Sequence, residues 1–287
     1  MRKKIRFRVK SQSSQYDNSG SLNVLPNDFV QAIGPFVFLR HIHYRGPRAV
    51  GTQLEILERP RPHRGIATIT YILAGEVEHG DSIGNHVTLG ASGVHWMKTG
   101  NGVICDQSIR PEFGLPDVSV VEIWINLPSG RKAEGPDYVS LLPDDVPTQQ
   151  LDHGAGWIRV LSGEIEGNMA KAPNYSGEVL CHIHLEPGRK FLMKARKGVD
   201  YAAFLLANTA IVNYRGFQAG DLVAFNSLGE IIEIINDGGM TIDVILFGGE
   251  PYSEGIVAEG SFVMNTPHEI TQAYNDYYDG KYGQVFQ

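Results

Sequence analysis

The sequence predicts an all-β protein: two β-sandwich domains, with one short helix near the C-terminal end. Three observations lead there. Short runs rich in β-branched and aromatic residues recur along the chain, punctuated by turns, with 33 Gly and 15 Pro among 287 residues. The order strand, hairpin, Gly-turn, strand occurs twice. Only one segment, 267–278, carries helical spacing of its apolar residues. A chain of 287 residues is long enough for two cores, since domains cluster around ~100–150 residues.

The composition excludes several function classes. Charged residues are 20% and hydrophobics 42%, as in ordinary globular proteins. A net charge of −7 argues against a nucleic-acid surface. No apolar run approaches the ~20 residues that cross a bilayer, so no membrane association is expected. Six of the first ten residues are Lys or Arg, yet no apolar core follows them as in a signal peptide. Ile5, Phe7 and Val9 alternate with Arg6, Arg8 and Lys10, which reads as an edge strand whose charges discourage pairing. The two cysteines, Cys105 and Cys181, form no CxxC motif. A reducing cytoplasm is therefore expected. Cys181 sits in an apolar strand pattern and is expected in the core.

The elements follow in order. Residues 11–22 read as an exposed loop. In the strand 35–43, Phe36, Phe38 and Arg40 share one face, and Val37, Leu39, His41 and His43 the other. His41 and His43 read as interface or surface histidines. Another strand is expected over 52–57, ended by Pro60 and Pro62. The stretch 61–107 reads as short strands joined by tight glycine turns, and within it 77–85 reads as a hairpin turning at 82–85. There His79 is expected to face solvent. The run 118–127 is a long strand, and 129–147 a polar connector.

The second set of strands begins at Gly156. Leu57-Glu58 matches Leu185-Glu186 at an offset of 128, as Ala91-Ser92-Gly93 matches Ala219-Gly220-Asp221. Tyr71-Ile72-Leu73-Ala74 matches Phe204-Leu205-Leu206-Ala207 at 133. The expected domains are 1–147 and 148–287. His182 and His184 share a strand face and read as buried neutral or interface histidines. The helix has Thr266 as N-cap, Pro267 at its first position and Glu269 three residues after the cap, with Gly280 beyond its end. Ile270, Ala273, Tyr274 and Tyr277 form its apolar face.

Several motifs together resemble the pirin family, two-domain members of the cupin superfamily. They are Pro62-His63-Arg64-Gly65, the run TYILAGEVEHGDSIGN at 70–85, WMKTGNG at 96–102 and WINLP at 124–128. Gly249-Glu250-Pro251 and FVMNT at 262–266 resemble the family's closing signature. The resemblance implies two jelly-roll cupin domains and one metal in the first, typically iron. It also implies the ligands: two histidines of an HxH element, then a histidine and a glutamate of an HxE element.

Residue by residue, that ligand set does not carry over. The HxH element reads Arg61-Pro62-His63 and the HxE element reads Cys105-Asp106-Gln107. Only His63 is retained. Arginine stays protonated and offers only donors. Gln107 is a weak neutral ligand, and a Cys105 thiolate favours zinc or copper over iron. The pocket is expected to gather Arg61, His63, Cys105, Gln107 and His95. Alternation should turn Asp106 away. No cofactor is expected. Iron or another divalent metal would need a site rebuilt from His63, Cys105 and a residue such as His95, Asp106, His41 or His43. In the second half, the 128 offset maps Cys105 to Glu233 and Gln107 to Ile235, with no ligand set.

Three functions follow. The pocket, without a metal, binds a small organic anion through Arg61 or takes a protein partner. Alternatively the chain is a metal-dependent enzyme of the quercetin 2,3-dioxygenase type, which several pirins resemble. As a third reading it is a regulatory interaction protein. A nucleophilic Cys105 is disfavoured because strand cysteines are usually packing residues.

Overall fold

The computed structural model describes residues 1–13, 20–44, 55–113 and 115–285, and strands make up 54% of the chain. The chain forms two compact units that are not consecutive in sequence. One comprises Met1–Gln12, Asn23–Phe36 and Asp145–Pro251; the other comprises Ser13–Leu22, Val37–Asp144 and Tyr252–Gln287. We call them the filled unit and the pocket unit. A cut between 147 and 148 falls near the internal boundary at 144/145, but each unit also takes a segment from the far end of the chain.

The filled unit packs two antiparallel sheets face to face. The larger runs in the order Ile5–Lys10, Asp221–Phe225, Asp200–Ala207, Ile242–Gly249, Val179–Leu185, Gly156–Ser162, Thr148–Gln150. The smaller runs Lys190–Lys194, Ile231–Ile235, Thr209–Val212, Arg215–Gln218. Ile5–Lys10 alternates half-buried and exposed residues at the sheet's edge, as its sequence pattern predicts. Between the sheets lie Cys181, Ile183, Phe191, Met193, Val244, Leu246, Ile232 and Ile234, all buried.

The pocket unit repeats the plan. Its larger sheet contains, as neighbours, Asp137–Leu141, Val94–Lys98, Ile66–Ala74, Val118–Asn126 and Phe36–Tyr44. Its smaller sheet runs Ile56–His63, Val103–Arg110, Glu76–Asp81, His86–Leu89. One end of this sandwich is an apolar cluster around Ile72, Val77, Leu89, Ile109 and Val120.

The strand expected over 52–57 is instead Ile56–His63, and residues 51–54 lie outside the described residues. Pro60 and Pro62 do not end it, because it is an edge strand, where a missing N–H costs no ladder bond. The hairpin turns at 82–85 as expected, where Asp81 Oδ1 accepts from the N–H of Ile83 (3.0 Å) and of Asn85 (2.9 Å).

The helix Pro267–Tyr278 is capped by Thr266, whose Oγ1 accepts from Glu269 N at 3.3 Å. It packs Ile270 and Ala273 against Phe262, Met264 and Tyr282. The tail is fastened to the strand loop beside the pocket. Arg64 Nη1 donates to Asp276 Oδ2 at 2.6 Å and to the Tyr282 hydroxyl at 3.1 Å. The Tyr282 ring closes over Gly102, where a Cβ would lie 2.1 Å from ring carbon Cε1 and where φ is +127°, so only glycine fits. Among the described residues no helix is long and apolar enough to cross a membrane.

Candidate functional site

The smaller sheet of the pocket unit sets out its side chains in cross-strand rows. Arg61, Cys105 and Asp81 are neighbours across three strands, and so are Glu58, Gln107 and His79. The register slips between these rows: two steps from Cys105 to Gln107 face three from Arg61 to Glu58. This bulge falls at Arg59-Pro60, where proline has no N–H to give the ladder. Simple alternation would put Glu58 and Arg61 on opposite faces; the extra residue brings them together as an ion pair.

Arg61, His63, Cys105 and Gln107 line one cavity, with Glu58, Thr68, Ile69, Thr70, His79, Asp106, Glu122 and Trp124. Its volume is about 40 Å³, room for about three waters at 10–15 Å³ each. Arg40 links two of its carboxylates, donating from Nε to Glu122 Oε2 at 2.9 Å and from Nη2 to Glu58. Phe38, on the same strand face as Arg40, stacks on Trp124 with ring centroids 4.3 Å apart.

His63 and Cys105 form the inner pair. Nδ1 of His63 lies 3.1 Å from the Arg61 carbonyl oxygen and 3.2 Å from Cys105 Sγ. Burial lowers the His63 pKa to about 4, and the Arg61 charge adds to the effect. Burial pushes the Cys105 thiol up to about 12, with Asp81 contributing. A thiol this reluctant to ionise is poor as a nucleophile. Gln107 Nε2 donates to Thr70 Oγ1 at 3.1 Å. Glu122 is raised by burial first and by Glu58 second, against the pull of Arg40.

Two expectations need correction. His95 does not line the cavity; its Nδ1 meets the Tyr138 hydroxyl at 2.6 Å and its Nε2 the Val77 carbonyl at 3.2 Å. His79 does not face solvent. It is only 2% exposed, and its ring stacks on Tyr138 at 4.7 Å and 6°. The hairpin that looked like a surface turn is the inner wall, because its strand pairs with Val103–Arg110. Asp106 borders the cavity, but its Oδ1 lies over Gly80, 2.5 Å from where a Cβ would be.

Glu58, Glu122, His79 and Trp124 were not anticipated at the site. The sequence did carry a signal for two of them: Glu122 and Trp124 share one face of the apolar strand 118–126, and a charge in such a strand marks a paired, buried group.

These residues do not fit the metal that the family resemblance implies. Arg61 stands at the first ligand position and pairs with Glu58. Cys105 offers a sulfur where the resemblance implies an imidazole, and the Gln107 amide has no charge to offer a cation. His41 and His43 do not line the cavity, and His41 Nε2 meets Ser119 Oγ at 2.9 Å. Among the described residues no group of three His, Cys, Asp or Glu side chains is placed to hold a metal ion. His182 and His184 both bond Asp243 Oδ1, at 2.9 and 2.8 Å, beside Trp157.

Two β-sandwich units built on one plan define a two-domain cupin. Family models agree: one described as Pirin matches residues 17–125, and one described as Pirin C-terminal cupin domain matches 180–283. A pirin-like protein of Caulobacter vibrioides is 30% identical over 264 residues, covering 90% of this chain and 88% of that one. The chain belongs to the pirin family. A crystal structure of quercetin 2,3-dioxygenase from Acinetobacter baumannii superposes with TM-score 0.89 at 26% identity, covering 100% of both chains. The bacterial pirin YhhW of Escherichia coli, solved in complex with nickel(II), shares the fold at TM-score 0.65 and 16% identity, over 86% of this chain and 99% of that one.

Proposed function

We propose that the pocket binds a small organic carboxylate and works without the family's metal. The observation that carries this reading is Arg61, a guanidinium where the resemblance implies a metal-binding imidazole. Its side chain is 46% exposed, so it reaches both Glu58 and incoming solutes. Arg40 is matched by both Glu58 and Glu122, whereas Arg61 pairs with Glu58 alone. Its half-exposed guanidinium therefore keeps donors that a ligand carboxylate can accept from bidentately.

Protein purified without chelators is expected to carry well under one equivalent of iron, nickel, zinc or copper by elemental analysis. Acetate is expected to shift pocket resonances in the wild type and to do so far more weakly in Arg61→Met. Near-stoichiometric iron would overturn the metal-free reading. Acetate binding indifferent to Arg61 would overturn the carboxylate reading.

A second reading, a quercetin 2,3-dioxygenase-type enzyme, is favoured by the Acinetobacter structure at TM-score 0.89. The ligand positions oppose it. Lack of flavonol turnover with added iron, manganese, copper, nickel or cobalt would remove it.

A further inference from the structure

We propose that His79 is a ligand-binding residue, accepting a hydrogen bond at Nδ1 from a hydroxyl, and that the pocket's ligand is a small hydroxycarboxylate. The proposal rests on the carboxylate reading above and supplies the other end of the ligand.

His79 lines the cavity, and its Nδ1 is buried with no hydrogen-bond partner among the described residues. A buried polar atom left unmatched keeps its full desolvation penalty, so such atoms are rare and call for a reason. Everything else about this ring is fixed. Asp81 Oδ2 lies 3.1 Å from Nε2, so the carboxylate accepts from Nε2–H, and in the neutral ring Nδ1 carries the lone pair. Asp81 is itself immobilised by the N–H groups of Ile83 and Asn85 and by the Asn85 amide at 2.7 Å. Burial would raise its carboxyl, but the bonds from His79 and Asn85 hold it below the usual range. The stack on Tyr138 sets the plane of the imidazole. The result is a preorganised acceptor that the fold itself does not use.

The spacing suits a short bifunctional molecule. Arg61 and His79 belong to the outer strands of three adjacent ones, in neighbouring rows. Strands lie ~4.8 Å apart, so their backbones are separated by roughly 10 Å, and the Arg61 side chain shortens the span. A ligand ammonium would meet the Arg61 charge; a hydroxyl donates without adding charge. A cavity of about 40 Å³ admits a few heavy atoms at its inner end.

The test uses the whole ¹⁵N-labelled protein, with glycolate as probe and acetate as the same carboxylate without the hydroxyl. His79 Nδ1 is expected to show an unprotonated-type ¹⁵N shift that moves with glycolate and not with acetate. Glycolate is expected to bind about tenfold more tightly than acetate, the usual weight of one hydrogen bond. His79→Phe, which keeps a ring on Tyr138, should reduce glycolate to the affinity of acetate. Asp81→Asn can donate to Nε2 and so favours Nδ1–H; it should do the same. If glycolate and acetate bind equally, the role of His79 is overturned while the Arg61 reading stands. If neither acid moves a pocket resonance, both are overturned. Should the variants fail to fold, the wild-type comparison of the two acids still decides.

Discussion

In the filled unit, the smaller sheet sends Phe191, Met193, Ile232 and Ile234 into the sandwich, and all are buried among aliphatic partners. In the pocket unit, the corresponding sheet presents Cys105, Gln107, His63 and His79 instead, opposite Thr68, Thr70, Glu122 and Trp124. The strand plan is the same and the filling is opposite. An apolar filling stabilises its unit by burial, roughly 25 cal/mol for each Å² removed from water. A polar filling gives up part of that and must pair its charges, as Arg40 does with Glu58 and Glu122. One strand plan thus carries either an apolar core or a polar pocket, according to which residues face inward.

The largest expected effect tests the charge pairing. Glu122→Ala leaves Arg40 buried with one partner fewer and should destabilise the protein by about 3 kcal/mol or more, read from urea unfolding. Glu122→Gln, which keeps the hydrogen-bond acceptor, should cost clearly less. Next comes the filled core. Ile234→Ala should cost about 2–5 kcal/mol, whereas Cys105→Ala in the pocket should cost about 1 kcal/mol or less. Equal costs would erase the contrast between the units.

Acid acts on the pocket unit through two buried histidines. His63 and His95 have folded pKa values lowered from 6.5 to about 4 and about 3, with burial the first cause of each. Between those values and 6.5 the unfolded chain binds the protons that the folded one refuses. Their contribution is therefore complete above pH 6.5 and is lost as pH falls toward 4 and then 3. Each histidine should add about 1.4 kcal/mol per pH unit to the slope, and His95→Gln should flatten it, as measured by unfolding at stepped pH. The smallest expected effect lies at the tail: Thr266→Ala should cost about 1 kcal/mol through loss of the helix cap.

Much of the fold was legible because it is written in local patterns. Alternation gave the edge strand at 5–10, the shared face of Phe38 and Arg40, and the long strand ending near 126. Capping residues gave the helix from 267 to 278 with its apolar face. The cavity lining was legible where motif positions carry it, at Arg61, His63, Cys105 and Gln107. It was not legible where backbone register decides. The bulge at Arg59-Pro60 brings Glu58 inward, and no alternation rule shows that. His79 sits on a strand whose pairing partner, 103–110, is distant in sequence, so its burial could not be read locally. The repeat offset of 128 failed by a single step: it pairs Cys105 with Glu233, whose neighbours Ile232 and Ile234 face the core while Glu233 bonds Arg2. A slip of one residue exchanges the two faces of a strand.

The account turns on three substitutions at one cavity, and restoring them tests it most directly. The triple variant Arg61→His, Cys105→His, Gln107→Glu recreates the ligand types that the family resemblance implies around His63. Elemental analysis and isothermal titration with nickel(II), run side by side on both proteins, should give close to one bound metal per chain in the variant and far less in the wild type. Equal, near-stoichiometric metal in the wild type would contradict the claim that Arg61, Cys105 and Gln107 have replaced metal binding with another use of the pocket.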